Sequence, residues 1–88
     1  MGHFIGGSAY SMARDVAEGL ILLNDTMLRK FSVGEIQQLM FELDKLAKDA
    51  RGEQVDQEDT QAIQKKSRRV SRIASAMNIV KLRLATRT

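Results

Sequence analysis

Apolar and polar positions alternate along this chain with helical period. From Ser11 onward Met12, Val16, Leu20, Leu23 and Met27 recur at three- and four-residue steps, the spacing of one helix face. The predicted helix spans about 11–25, weakened by Gly19 and closed near Asn24-Asp25-Thr26, residue types that favour caps and turns. A second helix is predicted over 33–51. Ser32-Val33-Gly34-Glu35 reads as a capping box, with the Ser oxygen taking the third helical N–H and the Glu reaching back to the Ser N–H. Val33, Ile36, Met40, Leu43, Ala47 and Ala50 then form an apolar stripe that Leu39 and Leu46 widen, while Phe41 falls off it and needs another surface. Gly52 stands at the expected C-terminal stop. A polar, acidic turn comes next, and a third helix is predicted over 59–83, capped by Asp56 or Asp59. Its seam is Val70, Ile73, Met77, Val80 and Leu84.

Two long helices joined by a short turn read as an antiparallel hairpin. The expected fold is therefore all-α: a long antiparallel helical hairpin over 28–88, with an additional N-terminal helix or extension over 1–27. Met1 to Gly7 is glycine-rich and without helical pattern, and is expected to be extended or mobile. Leu43 and Ile73 are expected at the hairpin seam.

Composition changes the picture mainly through charge. The 88 residues carry a net charge of only +3, but unevenly. Residues 1–60 hold all 11 acids and six of the 14 basic residues, whereas residues 61–88 hold Lys65, Lys66, Arg68, Arg69, Arg72, Lys81, Arg83 and Arg87 with no acid. Such asymmetry points to a polyanionic partner, since eight uncompensated cations repel one another. Lys65, Arg68, Arg69 and Arg72 lie three or four apart and share a face of the third helix. The four aromatics Phe4, Tyr10, Phe31 and Phe41 stand outside this run, so phosphate and shape, not base stacking, are the expected targets.

Other chemistry has little footing. There is no cysteine, hence neither a disulfide framework nor a thiolate metal site. His3 is the lone histidine, no serine has a neighbouring base, and Gly2, Gly6 and Gly7 lack the Lys-Ser/Thr pair of a phosphate loop. Neither a metal, a cofactor, a small-molecule substrate nor a catalytic group is expected. The longest apolar run, Leu20 to Leu23, is far too short for the ~20 residues of a membrane span. The acid-free start with Ser8, Ser11 and Arg14 is a weak match to a transit peptide, and a plain N-terminal extension is the preferred reading.

Three stretches carry a resemblance. Leu28-Arg29-Lys30-Phe31-Ser32-Val33-Gly34-Glu35-Ile36, then Arg51 with Gly52 and Gln54, then Arg68-Arg69-Val70-Ser71-Arg72-Ile73-Ala74-Ser75-Ala76-Met77-Asn78 are similar, in that order, to the L-twenty-nine family of large-subunit ribosomal proteins. The resemblance covers residues 28–78. It departs from the family at Ala50, at Ser71, in one missing residue of the third stretch, in the acidic bend and in both ends of the chain. It implies a helical hairpin on ribosomal RNA near the nascent-chain exit, contact with a neighbouring L-twenty-three type protein, and a place in a bacterial or organellar ribosome. It implies that Arg29, Arg51, Arg68, Arg69 and Arg72 face RNA. Lys30, Lys65 and Lys66 join them as candidate RNA-binding residues by charge and position. Replacing Arg68, Arg69 and Arg72 together with Glu is expected to abolish RNA binding and leave helix content intact. The competing reading is an oligomerisation module or a secretion-system subunit or chaperone, favoured by the two apolar seams and by the brief similarity of Leu43-Asp44-Lys45-Leu46-Ala47-Lys48 to type III secretion needle subunits.

Overall fold

The computed structural model describes residues 8–87, and the expectation for Met1 to Gly7 lies outside them. Four helices are arranged in the order α1 (Ala9–Ala17), α2 (Asp25–Leu28), α3 (Val33–Gly52) and α4 (Thr60–Arg87). There is no strand among the described residues.

The start of α3 is the one read from the sequence. Ser32 Oγ accepts the Glu35 N–H at 3.1 Å and Glu35 Oε1 accepts the Ser32 N–H at 2.9 Å, so both halves of the capping box are formed. Gly52 is the last helical residue, without the left-handed backbone of a glycine stop. Of the two candidate caps for the last helix, Asp59 takes the role, accepting the Ala62 N–H at 3.0 Å. Asp56 instead accepts the Glu58 N–H at 2.9 Å and tightens the turn. The last helix continues past the expected boundary at 83 to Arg87.

The N-terminal segment corrects the expectation of one helix over 11–25. Ser8 caps α1 through its hydroxyl, and the helix stops at Ala17. Gly19 has φ +81°, and its N–H donates to the Val16 carbonyl at 3.1 Å while the Leu20 N–H donates to the Asp15 carbonyl at 2.8 Å. That pair of bonds is a Schellman stop, which needs a left-handed residue and therefore favours glycine. Beyond it the chain runs as a non-helical strap over 20–24 until Asn24 caps α2, its side chain accepting the Met27 N–H at 2.9 Å. Leu20, placed in the helical stripe by sequence, is 75% exposed on this strap.

α3 and α4 form the antiparallel hairpin: Glu53 at the end of α3 meets Lys66 near the start of α4, and Asp25, shortly before α3, meets Arg83 near the end of α4. Leu43 and Ile73 are fully buried at the seam, as expected, with Ile36, Leu39 and Val80. Residues 8–27 are not peripheral, since Met12, Ala13, Val16, Ala17 and Leu23 are buried in the same core cluster. α4 thus faces both α1 and α3, which explains why Ala76 is buried beside the predicted seam. Phe41 is 62% exposed, with the Lys45 ammonium 5.5 Å from its ring centroid.

Candidate functional site

On α4 the spacing 65-68-69-72 places four basic side chains within about two turns. They come together: Lys65, Arg68, Arg69 and Arg72 line one concave cleft, with Glu18 at the end of α1 as its single acid.

The cleft is built by interactions that bind three helices together. The Schellman bonds use the Asp15 and Val16 carbonyls and leave that of Ala17, which accepts Arg72 Nη1 at 3.1 Å. A cation at a helix C-terminus also opposes the negative end of the macrodipole. Arg69 reaches two acids, with Nη2 3.2 Å from Glu18 Oε1 and Nη1 3.5 Å from Glu53 Oε2. Lys66 Nζ donates to the Glu53 carbonyl at 2.7 Å, at the C-terminal end of α3. The N-terminal half of α4 therefore gathers the C-terminal ends of α1 and α3. Lys65 and Arg68 have no hydrogen-bond or ion-pair partner among the described residues and are exposed.

Hydrogen bonding and charge compensation are separate matters here. Lys66 and Arg72 donate to neutral carbonyls, so they keep their full positive charge. Arg69 alone is offset by carboxylates. Four cations against Glu18 leave the cleft lining with a formal charge of +3.

The other candidates lie elsewhere. Arg51 is exposed at the end of α3 and lines a shallow groove with Lys66, Ser67 and Val70. Arg29 and Lys30 are at the far end of the bundle. Arg29 Nε donates to Asp25 Oδ2 at 3.0 Å, and Arg83 Nη1 donates to Asp25 Oδ1 at 3.2 Å. Arg83 is eleven residues beyond Arg72 along α4, or about 16 Å at the helical rise. The Arg29 hydrogen bond, with help from Arg83, holds the Asp25 carboxyl below the usual carboxylate range. The eight predicted residues thus form one cleft and two outlying groups, not a single surface.

The structure corrects the ground for expecting the triple Glu substitution to leave helix content intact, because two of the three arginines join helices. Arg69 and Arg72 tie α1 and α3 to α4, so reversing them places carboxylates against Glu18, Glu53 and the Ala17 carbonyl. The participation of Glu18 and Glu53 was not read from sequence. The signal for it is that each stands at a helix C-terminal boundary, where a cation from another element is favoured.

No group of three or more His, Cys, Asp or Glu residues able to hold a metal ion is present among the described residues. No helix of the described residues is long and apolar enough to cross a membrane. Comparison of the chain with protein families, curated proteins and solved structures gives no match in any of the three.

Proposed function

We propose that the chain is a non-enzymatic RNA-binding subunit of a ribonucleoprotein particle, holding phosphate backbone in the α4 cleft. The resemblance to the L-twenty-nine family makes the large ribosomal subunit, with its ribosomal RNA and an L-twenty-three type neighbour, the proposed setting. The observation that carries the reading is the cleft itself: Lys65, Arg68, Arg69 and Arg72 converge in a lining whose one acid is Glu18, and Glu53, outside that lining, pairs with Arg69. Cβ atoms three and four residues apart on a helix are about 5–6 Å from one another, close enough for neighbouring side chains to engage successive phosphates. Lys65 and Arg68, without a partner among the described residues, are open to the polyanion. Arg72 meets it with its guanidinium already held by the Ala17 carbonyl, which lowers the ordering entropy of binding. The planar guanidinium forks suit paired phosphate oxygens.

The test is a filter-binding titration on large-subunit ribosomal RNA at several salt concentrations. It uses Lys65→Glu/Arg68→Glu, because these two side chains have no partner in the fold among the described residues. The double variant should unfold like wild type and bind at least about tenfold more weakly, with a shallower salt dependence because fewer counterions are released. Glu18→Gln should bind more tightly than wild type, since it removes the one acid lining the cleft. Equal affinity of wild type and the double variant, or affinity indifferent to salt, would overturn the RNA reading and favour the oligomerisation or secretion alternative.

A further inference from the structure

Beyond the cationic cleft, α4 presents a second row on the same side. Arg72, Ser75, Ile79, Leu82 and Thr86 recur at 3-4-3-4 spacing. The strap over 20–24 runs beside this row, from Gly19 at Arg72 to Asp25 at Arg83. Six residues of extended chain reach about 20 Å at most, just enough to span the ~16 Å that eleven helical residues cover. An extended strap alternates its side chains. Leu23 is buried at 3% exposure, whereas Leu22 stands out at 87%. Between strap and helix two adjoining grooves share Leu23 and Ile79, with Leu22 lining one and Leu82 the other. Leu82 is itself 68% exposed. Leu22 and Leu82 thus stand exposed beside a concave apolar lining and are not scattered singly over the surface.

We propose that this groove docks an amphipathic helix of a protein partner, one carrying acidic residues beside its apolar row. The choice of occupant rests on shape and charge. Arg72 to Thr86 is about 21 Å, or four helical turns, and heptad-type spacing is what a second helix packs against. Ser71 and Ser75 are small enough to let a neighbouring backbone approach. Arg72 at one end and Arg29 with Arg83 at the other face only Asp25 among the groove's own charges, which leaves the groove cationic. A second copy of this chain fits poorly, because twofold antiparallel pairing about this row sets Arg72 of one copy near Arg83 of the other. A bilayer would meet the projecting leucines but not the groove floor. The site goes beyond the RNA reading and shares only Arg72 with the cationic cleft, while Leu22 and Leu82, which the test substitutes, lie outside that cleft.

The experiment is a fluorescence-anisotropy titration of the full chain. The probe is a labelled four-turn designed peptide with leucines at three- and four-residue steps and glutamates on both flanks. Saturable binding is expected, weakened about tenfold or more by Leu22→Ser/Leu82→Ser in the protein, and similarly by exchanging the peptide's glutamates for lysines. Both substituted leucines are exposed, so the variant keeps its fold, and a matching circular dichroism melt verifies this. Absence of saturable binding, equal binding of the two peptides, or indifference to the leucine substitutions overturns the proposal. So does self-association in sedimentation that the leucine substitutions abolish, which assigns the groove to a second copy. Co-sedimentation with phosphatidylserine vesicles that the same substitutions abolish assigns it to lipid and overturns it equally.

Discussion

Gly19→Ala isolates the joint on which the N-terminal segment turns. Two costs add. An L-residue in the left-handed backbone region, here at φ +81°, costs about 1–2 kcal/mol. The added methyl also arrives 3.0 Å from Arg72 Cζ and 3.2 Å from Nε, so the guanidinium must shift from its bond to the Ala17 carbonyl. A hydrogen bond from a charged donor contributes about 1.5–3 kcal/mol, and partial solvent exposure reduces this one to about 1 kcal/mol. The sum is about 2–3 kcal/mol, a drop in Tm of at least about 10 °C for a domain of this size. Gly52→Ala provides the opposite case. No atom lies within 4 Å of the added methyl and the residue is helical, so the substitution should stabilise by about 0.4–1 kcal/mol through the unfolded chain.

Thermal and urea unfolding monitored by circular dichroism measures both. A double-mutant cycle separates the two costs of Gly19→Ala. In an Arg72→Ala background the steric part disappears and only the backbone cost, about 1–2 kcal/mol, remains. If Gly19→Ala and Gly52→Ala change stability by the same amount, or if the Arg72→Ala background makes no difference, the Schellman stop and its arginine clamp do not hold α1 as described.

Leu43→Ala and Ile73→Ala, each at a fully buried seam position, should cost about 2–4 kcal/mol in the same unfolding assay. Unchanged melting of either would displace the seam. Asp25 gives a pH signature. Its carboxyl lies below the ordinary value of 3.8 in the folded state, chiefly through the Arg29 hydrogen bond, so its contribution is complete above that value and is lost as pH falls through the lowered one. Wild type should therefore lose stability more steeply than Asp25→Asn as pH falls from that ordinary value, and parallel profiles would refute it.

The parts of the fold legible in the sequence are those fixed by neighbours in sequence. The capping box at Ser32 and Glu35 needs only a three-residue spacing, and the stripe through Ile36, Leu39 and Leu43 needs only the helical period. The end of α1 failed by the same logic. Met12 and Val16 continue to Leu20 and Leu23 in helical register, but a strap that buries alternate residues also places Leu23 inward. Periodicity over so few residues does not separate the two conformations. Gly19 decides between them, and its role depends on a cap that forms only when the backbone turns left-handed.

The site divides along the same line. The 65-68-69-72 spacing showed which cations share a face, but not which of them the fold uses. Arg69 pairs with Glu18 at a sequence separation of 51, and Arg72 bonds to Ala17 at 55, distances over which no local pattern operates. Those partners change what the basic run means without cancelling it. Eight cations within 28 residues looked surplus to the fold, whereas Lys66, Arg69, Arg72 and Arg83 each join α4 to another part of the chain. A carbonyl bonded to Arg72 or Lys66 orients the cation but does not discharge it, so a side chain that fastens helices together still contributes to the field over the cleft. Only carboxylates remove charge, and Glu18 is the one that lines it. Structural and binding roles are thus compatible in the same arginine, provided its bond within the fold is to a neutral acceptor. Arg72 meets that condition and Arg69 does not, which makes Arg72, beside Lys65 and Arg68 with no partner among the described residues, the member of the clamp best able to meet a phosphate without breaking the bundle.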